Sequence, residues 1–208
     1  GEYIPHLATQ DVIHKAKLRS ELPVDFTDGF NPVPRLELAT TLSLGIDSVD
    51  EIASCLLRYE TSEEEFVSKM NESLPQGLKI NSAYIFPVSN KRKRESLSSA
   101  LYGAVYQYKF LVSEEKLNHF VNSEQLQDFM TNNSEFKFSK TDNPLVYDVY
   151  IPFRADRPFR NLLEEVFEAK LHKILHISKL KTLAKEGDQV GSFYDIFKIY
   201  ADIHSKLI

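Results

Sequence analysis

YGAVYQYKFLV, residues 102–112, reads as a β-strand with aromatic alternation, and the elements after it decide the fold. Residues 113–132, SEEKLNHFVNSEQLQDFMTN, are helical in pattern, in one piece or two. SEFKFSK (134–140) and LVYDVYIPF (145–153) predict a strand pair around a turn at Asp142-Asn143-Pro144. RPFRNLLEEVFEAKL (157–171) predicts a helix with Pro158 near its first turn. KILHISKLKTLA (173–184) predicts a closing strand. Strand, helix, strand, strand, helix, strand is the split βαβ order of a ferredoxin-like unit.

Working outward, the first half nearly repeats that order. Residues 7–21 are helical in period, with Thr9 as expected N-cap, Asp11 in the first turn and Leu22-Pro23 as the stop. RLELATTLSL (35–44) predicts a strand, Gly45 and Asp47 a turn, and EIASCLLRYE (51–60) a second strand. SEEEFVSKMNESL (62–74) predicts a helix opened by a Ser62–Glu65 capping box, with Phe66, Met70 and Leu74 on one face. LKINSAYIFPV (78–88) predicts another strand. An opening strand is missing from this half. SFYDIFKIYADIHSKLI (192–208) is a candidate to fill the gap, and suits a helical face at least as well. The expected architecture is α+β, two tandem ferredoxin-like units: 1–88, a polar junction 89–99, 100–186, and a C-terminal extension 187–208 packing back on the core.

The chain has 208 residues, 42% apolar and 26% charged, enough for a packed core. A net charge of −5 argues against a nucleic-acid coat protein but leaves room for a local basic patch. Cys55 is the single cysteine, so an internal disulfide, an iron–sulfur cluster and a thiolate zinc site are excluded. No apolar run approaches a membrane span and no signal peptide is seen, so a soluble, cytoplasmic protein without membrane contact is expected. Gly1 is expected to be a tag remnant, with the native chain extending upstream.

DGFNPVPRLELATTLSLGIDS (28–48) holds the first candidate site. On a structural reading, Gly29 supplies a positive φ, Pro32 and Pro34 stiffen the loop and Phe30 plugs the core. On a functional reading, backbone N–H groups of Gly29 to Asn31 and the Arg35 guanidinium cradle an anion. Arg154, Arg157 and Arg160 form the second, clustered at an expected helix start where free N–H groups favour phosphate. The alternative there is a solvated helix start with Arg160 pairing Glu164. KRKR (91–94) reads as a solvated linker or a graze on RNA phosphates. His172 and His176 stand four apart but straddle a helix end and a strand start, without an HExxH motif, so no metal and no cofactor is expected. Tyr102, Tyr106, Tyr108 and Phe110 share one strand parity. They are core if helices cover that face, or a base-stacking surface if they do not. The sequence contains no P-loop, GxGxxG, GxSxG or C-x-x-x-C-x-x-C motif.

LATQDVIHKAKLRSELP, GFNPVPR, LSLGIDS, NESLPQGLKI and ESLSSALYGAVYQYKF resemble the bacterial radical SAM-linked protein family, a domain of unknown function, over roughly residues 4–110. The resemblance implies a B12-binding radical SAM protein as partner, because family members are encoded beside or fused to one. It also implies a strand before the first helix. This chain departs from the family at Pro5, Ala8, Asp11 and Val33, while His6, Asn31 and Arg35 remain. The expectation is an accessory or substrate-recognition module with no catalytic residues, acting with that partner and on RNA. The anion-binding set would be His6, Gly29, Asn31, Arg35, Arg154, Arg157 and Arg160. The alternative is a stand-alone RNA- or nucleotide-acting enzyme with His6, Asn31 and Arg35 in a cleft between halves.

Overall fold

A computed structural model describes residues 6–28, 30, 32, 35–40, 45–88 and 96–198, with the backbone alone for 6–10. The chain is α+β and divides into two units. One takes residues 1–44, 52–99 and 197–208; the other takes 45–51 and 100–196.

In the first unit, α1 (His6–Arg19) and α2 (Glu63–Ser73) accompany β1 (Leu36–Leu38), which pairs antiparallel with β3 (Ala53–Cys55). α1 begins before Thr9, so the expected cap lies inside the helix and Asp11 falls outside its first turn. Ser62 caps α2 as expected, accepting from the Glu65 N–H at 3.1 Å. The helix buries Met70 against Ala16, Leu22 and Val24, with Phe66 and Leu74 packed around them. Residues 78–88, expected as a strand, enter no ladder among the described residues. Side chains of α2 hold this stretch instead. Asn71 exchanges two bonds with the Ile80 backbone, 3.0 and 2.7 Å, and the Ile85 N–H donates to Glu63 at 3.2 Å.

In the second unit the expected elements appear in order, with a short helix added where the closing strand was expected to begin. They are β4 (Leu101–Phe110), α3 (Glu114–Val121), α4 (Glu124–Asn132), β5 (Lys137–Lys140), β6 (Val146–Pro152), α5 (Phe153–Val166), the short α6 (Leu171–Ile174) and β7 (Leu175–Glu186). The ladders run β7-β4-β6-β5, all antiparallel, an order compatible with a split βαβ unit. The helix-covered face is aromatic. Tyr108 stacks on Phe159 of α5, and Phe136, Phe138 and Phe129 pack around the same ring. Gly103 lets β4 lie close to β6, since a Cβ there would sit 2.3 Å from the Ile151 carbonyl oxygen.

Three features depart from expectation. Gly45 turns the chain with φ 81°, but Asp47 belongs to a strand, β2 (Ile46–Ser48), parallel to β7. Secondly, β8 (Gln189–Ser192), which was not expected, folds back on β7, while residues 193–198 are helical, one of the two forms expected of them; the rest of the C-terminal run lies outside the described residues. Finally, α5 starts four residues before Arg157, which places Pro158 inside the helix rather than in its first turn.

Candidate functional site

Of the first candidate loop, Gly29 and Asn31 lie outside the described residues, as does the KRKR run, and His6 is described by its backbone alone. Phe30 is fully exposed, so it does not plug the core. Arg35 is spent on its own neighbourhood. Its Nε donates to the Phe26 carbonyl at 3.1 Å and lies 3.2 Å from Asp25, while an Nη reaches Asp28 at 3.3 Å. The buried Lys17 ammonium donates to the Arg35 carbonyl at 2.9 Å. Burial pushes the Lys17 pKa down, with Cys55 opposing. These bonds make Arg35 a staple for the strand entry.

The three α5 arginines go separate ways. Arg154 is exposed and paired with Glu135. Arg157 is exposed. Arg160 turns inward and clasps Asp156 with two bonds, 3.0 and 2.7 Å, rather than the expected Glu164. Glu164 instead caps the Leu171 N–H at 3.0 Å and meets Lys170. Asp156 and Glu164 each stand four residues from Arg160, so spacing permits either pair; Asp156 is the more buried of the two acids, its side chain 19% exposed against 31% for Glu164.

Around that pair lies a buried polar cluster. The Arg160 guanidinium carbon sits 5.8 Å from the Tyr106 ring centre. Burial pushes the Asp156 carboxyl above the usual carboxylate range, with Arg160 opposing. The fully buried Tyr108 hydroxyl lies in this cluster without a hydrogen bond of normal geometry among the described residues. Lys179, also buried, meets Glu51 at 2.5 Å. Tyr106, Tyr108 and Phe110 are therefore core, as a helix-covered face requires.

Tyr102 breaks the expected parity. Register shifts between Leu101 and Gly103, where β4 carries one residue more than β7. Its ring lies against Tyr150 of β6, centroids 6.3 Å apart. Tyr147, Val149 and Ile151 face the helices and are buried; Asp148 is exposed and Tyr150 half-buried, so these two belong to the opposite face, where Leu183 of β7 is buried. Lys137 lies over the Tyr150 ring at 5.6 Å and Lys185 over Tyr102 at 5.7 Å. The Tyr102 hydroxyl first, then Arg154, hold Glu135 below its ordinary pKa. Lys109 and Lys181, both exposed, extend the same face. Sequence reasoning missed this group. The signal was present in VYDVYIP, where Tyr150 shares the parity of charged Asp148.

His172 and His176 belong to different elements. His172 lies on α6, while His176 on β7 faces Asp47 of β2 at 2.9 Å. Among the described residues no three His, Cys, Asp or Glu side chains gather as for a metal, and no helix is long and apolar enough to cross a membrane.

Fold and site together define an α+β protein with one helix-covered, aromatic sheet face and one lysine-bearing face. A family model for uncharacterized proteins conserved in bacteria, DUF2344, matches residues 2–148, and the chain belongs to that family. No curated protein and no solved structure matches the chain.

Proposed function

We propose that this chain is a recognition module without chemistry of its own, that its ligand is RNA, and that it works beside a B12-binding radical SAM enzyme. The observation that supports the RNA part is the lysine-bearing sheet face of the second unit. Lys109, Lys137, Lys181 and Lys185 are exposed around it on a chain whose net charge is −5. Local concentration of positive charge on an acidic protein is what a polyanion contact needs. The ion pairs of Arg35 and Arg160 fit positioning better than catalysis. The enzyme partner rests on the sequence resemblance to radical SAM-linked proteins.

The test is purification of the full-length protein from its native host in mild salt, with and without ribonuclease. A radical SAM protein retained after ribonuclease, and RNA recovered without it, are the expected results. Recovery of neither would overturn the proposal.

A further inference from the structure

The extra residue in β4 has a chemical effect. A one-residue slip turns a side chain to the other face of a sheet. Here it takes Tyr102 from the side of Ala104, Tyr106 and Tyr108 and sets it beside Tyr150. The two rings are tilted at 50° and sit on the central strands β4 and β6. Each carries an ammonium over its face, and Lys181 pairs in register with Val105, the residue also opposite Tyr150. Of the acids around this face, Asp148 and Glu186 are exposed, and Glu135 is already engaged by Tyr102 and Arg154.

We infer that this face binds single-stranded RNA, with Tyr102 and Tyr150 as the stacking platform and Lys137 and Lys185 as contacts to flanking phosphates. The inference rests on the recognition reading above and specifies its ligand. Tyrosine faces on a sheet serve unpaired bases, since a duplex keeps its bases stacked on each other. Lysine stems are long and flexible, so a base entering over either ring displaces the ammonium sideways, toward the base's own phosphate. An acidic peptide would satisfy the lysines and leave the rings unused.

The experiment is fluorescence anisotropy of the full chain with a labelled uridine-rich oligomer and with an RNA duplex of equal length, across a salt series. Single-stranded RNA is expected to bind tighter than duplex. Tyr102→Ala and Tyr150→Ala should each weaken it roughly tenfold, and Tyr150→Phe, which keeps the ring, should restore it. Lys137→Ala and Lys185→Ala replace exposed side chains, and each should flatten the logarithmic salt slope by about 0.7. Unchanged affinity in both Tyr→Ala variants, equal binding of duplex, or unchanged salt slopes would overturn the stacking site while leaving RNA recognition standing. If the wild-type chain binds neither RNA, the recognition reading falls and this inference falls with it.

Discussion

Asp156 and Arg160 show at the scale of single residues why a charged side chain in a predicted site need not serve a ligand. Their side chains are 19% and 15% exposed, so each charge depends on the other. Arg160→Met alone should destabilise the second unit by about 3 kcal/mol in urea unfolding, because it strands a buried carboxylate. The double variant Asp156→Leu/Arg160→Met should recover most of that loss; additive losses would contradict the coupling. Lys17 makes a pH-dependent case. Its pKa is lowered in the folded state, so between the folded value and 10.5 the unfolded chain binds more protons. Its contribution to stability therefore rises with pH through that window. Lys17→Met should remove this rise, and the wild type should gain on the variant toward alkaline pH. Parallel stability profiles would contradict the assignment.

Local pattern carried much of the second unit at the scale of elements. The strand from 101 to 110, the two-piece helix after it and the hairpin of β5 and β6 follow from period and turn residues. What escaped was non-local. Ile46–Ser48 is too short to show a period, and its partner Ile177–Lys179 is remote in the chain. Its anchoring is equally remote: the Thr182 N–H donates to the Asp50 carboxylate at 2.6 Å, and the Thr182 hydroxyl to the Asp50 carbonyl at 2.7 Å. Asp50→Ala should leave that buried N–H without its acceptor, at a cost of about 1–3 kcal/mol, and speed hydrogen exchange at Thr182. Unchanged exchange would show that β2 is held otherwise. In the first unit, residues 78–88 were extended in pattern, but Asn71 and Glu63 occupy backbone groups a neighbouring strand would need. Site legibility follows the same rule. Arg154 was visible as a cation, whereas the turning of Tyr102 depends on a bulge that only strand pairing reveals.

At the scale of the whole molecule, the proposed RNA site lies on the second unit's sheet and not in the first candidate loop. The first candidate stretch, 28–48, contributes a stapled strand entry through Arg35 and a strand to the second unit's sheet. The lysines and the two tyrosines lie outside that stretch, between Tyr102 and Lys185. The most direct measurement is ultraviolet cross-linking of a uridine-rich oligomer to the intact protein, with the adducts located by mass spectrometry. The account predicts adducts at Tyr102 or Tyr150, reduced by competing single-stranded RNA. Adducts confined to residues 28–35, or to the exposed helix side at Arg157, would contradict it.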